Sequence, residues 1–176
     1  LMFVHGRHNY MRASRVFLYS IHKNVTLTLT LAWYSFFAAL TGTSLYESNV
    51  YTCFNLMLGL PIIMFGIFDK DISDSFIMRN PWVYITGRTN SMLGNVVFAA
   101  WGFNALIYAV IISISSYFVL ELSFQEYGLF EFGTHVFLAL IFALQWKVAF
   151  LHHMWNIYHT ISMVISLGAT FVFILA

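Results

Sequence analysis

Polarity along this chain comes in long blocks. Five mostly apolar stretches, at positions 16–40, 48–68, 93–120, 132–151 and 156–176, are separated by shorter polar segments. An α-helix needs about 20 such residues to cross the hydrocarbon core of a bilayer. Membrane strands instead alternate in polarity over about ten residues, and these stretches are too long and too uniformly apolar for that. The pattern predicts an all-α fold: an integral membrane helical bundle of about five transmembrane helices, forming one membrane domain over residues 1–176.

The polar segments predict the orientation, because basic residues favour the cytoplasmic side. Arg7, Arg12 and Arg15 precede the first stretch, Lys70, Arg79 and Arg88 lie between the second and third, and Lys147 is near the junction of the fourth and fifth. The other two segments carry only acid, Glu47 in one and Glu121, Glu126 and Glu131 in the other. The alternation predicts a cytosolic N-terminus. The first connection is short enough to make spans one and two an antiparallel hairpin. The longest polar segment opens on Asp69-Lys70-Asp71-Ile72-Ser73-Asp74, a helix start in which Ser73 or Asp71 is expected to accept from freed backbone N–H groups. Asn80-Pro81 predicts a break.

Composition agrees. The chain is 60% hydrophobic and only 9% charged, against about 25% charged in soluble domains, so it cannot cover a water-exposed globule. The net charge of +1, with no basic stripe, gives no footprint for nucleic acid. The lone cysteine, Cys53, excludes an internal disulfide framework and a Cys-based metal site. The first residues lack the order of a signal peptide and the last fall inside an apolar run, so both ends read as cut and a longer polypeptide is expected. No phosphate-binding loop, dinucleotide fingerprint or Ser/His/Asp arrangement is present, and no span carries the arginine ladder of a voltage sensor.

Candidate chemistry centres on Lys23, inside the first span. A lysine at mid-helix in a bilayer costs roughly 2.5–3.5 kcal/mol on insertion scales. As a helix, Tyr19, Lys23, Thr26, Thr30, Tyr34 and Phe37 share one face, with Asn24, Thr28 and Ser35 on a neighbouring stripe. Two readings stand. The stripe is a buried hydrophilic surface with a cation, or Lys23 snorkels towards Arg15, about 12 Å away along the axis, and the hydroxyls serve packing. Span two holds Gly59-Leu60-Pro61 in its middle, six residues after Asn55. Pro61 removes a backbone donor and frees a carbonyl at membrane depth, which only protein or a wet cavity can satisfy; a packing kink is the plainer alternative. His152, His153 and His159 lack paired i, i+4 spacing and adjacent carboxylates, so interfacial residues beside Trp155 in an aromatic belt are favoured over metal ligands.

The order of landmarks resembles the P4-type ATPases, the phospholipid flippases. Val4-His5-Gly6-Arg7, Tyr10-Met11-Arg12, Ser14-Arg15 and Tyr19 to Asn24 are similar to the start of that family's fifth membrane helix, a His-Gly-Arg-Trp-Ser-Tyr-x-Arg run followed by Phe-Tyr-Lys-Asn. Lys23 and Asn24 match directly; His8-Asn9 stands for Trp-Ser, and Ile21-His22 for Phe-Tyr. Trp33-Tyr34-Ser35-Phe36-Phe37, Leu60-Pro61, Gly66 to Ser73, Asn80-Pro81 through Tyr84, Trp101, Gly133-Thr134, Lys147, Trp155 and His159 continue the series across the chain. Two departures bear on headgroup preference: Ala38-Ala39-Leu40-Thr41-Gly42 lacks a common Asn, and Asn55-Leu56-Met57-Leu58-Gly59 is one residue short of the family's run before Leu-Pro.

The resemblance implies helices five to nine of a ten-helix membrane domain, within an ATP-driven phospholipid translocase moving lipid from the exoplasmic to the cytosolic leaflet. It implies a lipid path past Lys23, Asn24, Tyr19, Thr26, Thr30, Tyr34, Asn55 and Pro61. ATP and Mg2+ belong to the full-length enzyme; this stretch has no phosphorylation or nucleotide-binding residues and is expected to be inactive alone. Implied partners are the phospholipid substrate, membrane lipid, the remaining domains of the same ATPase and a two-span accessory subunit, in the plasma membrane or Golgi and endosomal membranes. The rival readings are a noncatalytic multi-pass channel or scaffold and a cation-pumping P-type ATPase. The latter needs intramembrane carboxylates, and none of the seven acidic residues falls within a predicted span.

Overall fold

The first helix is longer than the hydropathy pattern predicts, and it is not among those apolar enough to be marked as membrane-crossing by length and composition. The computed structural model describes residues 2–37, 45–46, 48–121 and 128–175. In it α1 runs unbroken over Met2–Phe37, about 54 Å at 1.5 Å per residue, against a hydrocarbon core of about 30 Å. Hydropathy marked only the part from position 16. The preceding turns contain no proline and simply extend the same helix.

Among the described residues six further α-helices and one 3-10 turn follow: α2 (Ser48–Phe68), α3 (Asp74–Arg79), a 3-10 turn (Pro81–Tyr84) with α4 (Ile85–Arg88), α5 (Asn95–Glu121), α6 (Leu129–Leu151) and α7 (Ile157–Leu175). Val50–Phe68, Asn95–Val119 and Glu131–Leu151 are long and apolar enough to cross a membrane, and Ile157–Phe173 is a shorter apolar helix. The bundle is thus an all-α integral membrane fold. Residues 38–44, 47 and 122–127, which hold most of the two acidic connections and the Ala38–Gly42 run, lie outside the described residues.

Side-chain contacts fix the topology. Tyr19 and Tyr34 of α1 meet Leu144 and Phe132 of α6, so these helices are antiparallel. Phe68 and Met57 of α2 meet Tyr158 and Ser166 of α7, another antiparallel pair. Central to the bundle is α6, whose Val136, Phe137, Leu140, Ile141, Leu144 and Val148 are buried at helical spacing. The first five pack on Phe54, Met57 and Leu58 of α2 and Ile112 of α5, and Val148 packs on Tyr19 of α1 and Ile62 and Phe65 of α2. Between helices in lipid, such contacts hold through van der Waals fit rather than water exclusion. Fit is tightest at Gly133, where a Cβ would run into the Leu45 carbonyl oxygen.

All the basic segments gather at one end. The Arg7 guanidinium donates to both Asp71 oxygens, at 3.0 and 2.7 Å, and His8 lies 3.1 Å from Asp74. Burial by itself would push the Asp71 carboxyl up, but the hydrogen bonds and charge of Arg7 outweigh it and hold it below the usual carboxylate range. The buried Asp69 carboxylate accepts the backbone N–H groups of His153 and Met154 at 3.0 and 3.2 Å and lies 3.5 Å from Arg15. One aspartate thereby joins α1, the end of α2 and the α6–α7 connection. Ser73 sits at the α3 N-cap, as expected, but its hydroxyl makes no cap bond and faces Ser75 at 3.4 Å. Asp71 is engaged by Arg7 instead. Asn80-Pro81 does end α3, with Pro81 opening the 3-10 turn.

Candidate functional site

Four predicted residues of the α1 stripe, Tyr19, Lys23, Thr26 and Thr30, are buried together on one face. Tyr19 donates its hydroxyl to the Leu144 carbonyl at 3.3 Å. Thr26 and Thr30 turn their hydroxyls back to the carbonyls of His22 and Leu27, at 2.8 and 2.7 Å, so their donors are satisfied within the helix. Lys23 instead crosses to α2. Its Nζ donates to Asn55 Oδ1 at 2.8 Å and lies 5.6 Å from the centre of the Phe54 ring.

An ammonium carries three donors and no acceptor, and among the described residues no carboxylate lies within ion-pair distance of Lys23. Its partner Asn55 is exposed, with the amide 3.5 Å from the Tyr51 carbonyl. Lys23 is thus buried, and its head meets α2 at an exposed amide with donor capacity to spare. Asn24 is not brought there: it is exposed on the outer flank, where its carbonyl accepts from Thr28 at 2.9 Å. Tyr34 lies further along α1, against Phe132 at 6.3 Å between ring centres. It lines a cavity of about 700 Å³ between α1, α5 and α6, with Thr30, Ser113, Tyr117 and Val136.

Pro61 is buried within a continuous α2. Lacking an N–H, it leaves the carbonyl four residues earlier without its helix partner. That carbonyl is Met57, and it accepts from the Ser166 hydroxyl of α7. Ser166 in turn accepts from the Gln145 amide of α6 at 2.5 Å. Ser166 belongs to a buried polar face of α7 with His159, Ser162 and Thr170, which the sequence reading missed. Its signal was available, since these residues recur three or four apart in an apolar helix.

A second cation was also missed as a site. Lys147 of α6 donates to Nε2 of His22 at 2.5 Å and to Oδ1 of Asn104 on α5. It stands 4.6 Å from the ring centre of Trp101 and 4.9 Å from that of Tyr108. Sequence placed Lys147 near a loop; only tertiary structure shows that its head turns inward to α1. His152, at the end of α6, and His159, in α7, bring their rings to 4.1 Å, edge to face. Among the described residues no group of three His, Cys, Asp or Glu side chains is placed to hold a metal ion.

A sequence profile of the phospholipid-translocating P-type ATPase C-terminal region matches residues 1–176. The chain belongs to that family. It is 34% identical over 176 residues to the phospholipid-transporting ATPase dnf1 of Schizosaccharomyces pombe, covering 98% of this chain and 11% of the relative. It is 27% identical over 162 residues to the mouse phospholipid-transporting ATPase IH, covering 89% and 14%, and 32% identical over 120 residues to the human phospholipid-transporting ATPase IC, covering 68% and 9%. The chain therefore spans about a tenth of the length of these relatives. Among its landmarks, Trp101 and Lys147, distant in sequence, meet around His22, while Trp155 and His159 converge on His152.

Proposed function

We propose that this chain is the membrane part of an ATP-driven phospholipid translocase, and that a lipid headgroup passes the exposed Asn55 amide, where Lys23 meets its phosphate. The single observation behind this reading is the state of Lys23: a cation at membrane depth, held by one neutral acceptor, with donors left for an anion. A phosphate offers the charge-assisted contacts such an ammonium lacks. Asn55 holds the head in place while the path is empty; Tyr19, Thr26 and Thr30 back the face with apolar surface and internally bonded hydroxyls, and Tyr34 and Pro61 bound it along α1 and α2. Asn24, on the outer flank, serves the path through a second approach. ATP, Mg2+, the other domains and a two-span accessory subunit complete the working enzyme. Its five-span topology has the N-terminus cytosolic, in a plasma, Golgi or endosomal membrane, and lipid moves towards the cytosolic leaflet as the helices alternate between two arrangements.

The test is lipid-stimulated ATPase activity of the full-length protein. Loss of one charge-assisted contact, about 1.5–3 kcal/mol, raises the lipid concentration for half-maximal stimulation roughly 10- to 150-fold. Lys23→Ala is expected to do this with phosphorylation from ATP retained, and exposed Thr28→Ala to leave the lipid dependence alone. Folded Lys23→Ala protein with unchanged lipid dependence removes the site.

A further inference from the structure

His22 and Lys23 are neighbours in sequence that face opposite partners. Consecutive helical residues are about 100° apart around the axis. His22 is turned to α5 and α6, where its ring stands edge-on to Trp101 and Tyr108 at 5.6 and 5.5 Å. Lys23 is turned to α2. The rotation of α1 that sends Lys23 to Asn55 is therefore the same rotation that sends His22 to Lys147.

We infer that Lys147 is a positioning residue for the lipid path: by holding His22 it fixes the rotation of α1 and so presents the Lys23 ammonium. The inference rests on the lipid-path reading of Lys23. An ammonium only donates, so the His22 Nε2 that Lys147 reaches is an acceptor and the imidazole proton is on Nδ1. That Nδ1 lies 3.3 Å from Thr26 Oγ1, whose own hydrogen goes to the His22 carbonyl. Each group in the series Lys147, His22, Thr26 thus has one direction of donation, and the ring cannot turn over without breaking two bonds. The second Lys147 bond, to Asn104, ties the same point to α5, and the Trp101 and Tyr108 faces hold the charge. No carboxylate completes the cluster among the described residues, so its geometry rests on these neutral partners. Lys147 has two donors engaged and its head against two rings, whereas Lys23 has one acceptor and one ring. Lys147 acts through α1.

The experiment is a double-mutant cycle on the full-length protein in its membrane complex, read as the lipid concentration for half-maximal ATPase stimulation and, separately, the maximal rate. Lys147→Met keeps the stem and removes the donors. It is expected to raise the half-maximal concentration by about tenfold or more with phosphorylation from ATP retained. Lys147→Arg, which can donate to the same acceptors, restores it to within about threefold. In a Lys23→Ala background, Lys147→Met adds less than about threefold, because its effect passes through Lys23. Full additivity overturns the inference, since it means a direct lipid contact or a general disturbance. A lowered maximal rate with unchanged lipid dependence also overturns it. If Lys147→Met does not fold, Asn104→Ala enters the same cycle with the same expectations at smaller size. Lys23→Ala with no effect removes the lipid site itself; Lys23→Ala shifted while Lys147→Met is inert removes only the positioning role.

Discussion

Two lysines turn their heads towards neighbouring helices of this bundle, and their surroundings differ. Lys147 donates to two side chains and lies against two aromatic rings. Lys23 has one acceptor, Asn55, which is itself exposed, and a single ring at 5.6 Å. Both heads give up part of their hydration on packing against the protein. For Lys147 protein groups replace the lost water, and the residue is architecture. For Lys23 the replacement is partial, and the unfilled share is what a phosphate can supply. The identity of a buried charge therefore says less than how many of its hydrogen-bonding positions the protein itself fills.

The contrast is sharpest in stability. Lys147→Ala strands the acceptor of buried His22, at about 1–3 kcal/mol, and that of half-buried Asn104 at less. Lys23→Ala strands only an exposed amide and is expected to cost under about 1 kcal/mol. Thermal unfolding of the full-length variants measures both, and equal losses would break the distinction. Next in size is Ser166→Ala, which leaves the Met57 carbonyl freed by Pro61 without a donor. A loss of about 1–3 kcal/mol is expected, with lipid dependence unmoved, because the Ser166 hydroxyl is engaged by Met57 and Gln145 and lies away from α1. A changed lipid dependence would mean that the proline break belongs to the path.

The smallest effect lies outside the membrane, at Arg7–Asp71. The Asp71 carboxyl is lowered from 3.8 in the fold. A depressed carboxylate contributes stability above its unfolded value that is lost as pH falls through the folded one. Asp71→Asn should therefore lower stability slightly at neutral pH, where the ionised carboxylate pairs with Arg7, and flatten the further decline below about pH 4. An unaltered acid limb would show that other carboxylates govern it.

The helices were legible because twenty apolar residues in a row have few other solutions, and the α1 face because Tyr19, Lys23, Thr26 and Thr30 keep helical spacing. The extra turns of α1 were not, since hydropathy reports where lipid is and not where a helix ends. Asn55 could be named from sequence, but not as the acceptor for Lys23, a pairing across 32 residues. The role of Lys147 depends on a contact 125 residues away, beyond any local pattern. Asn24 lies apart from Lys23 for a simpler reason: adjacency along a helix is separation around it.

Pro61 carries a mechanical consequence. A proline in a helix is commonly a soft joint, because the freed carbonyl lets the two halves flex. Here that carbonyl is tied by Ser166 to α7 and through Gln145 to α6. The joint is riveted. Bending α2 at this point requires the neighbouring helices to travel with it or the rivet to be drawn, so motion that reaches the Asn55 end of α2 is transmitted to a three-helix block rather than absorbed by one.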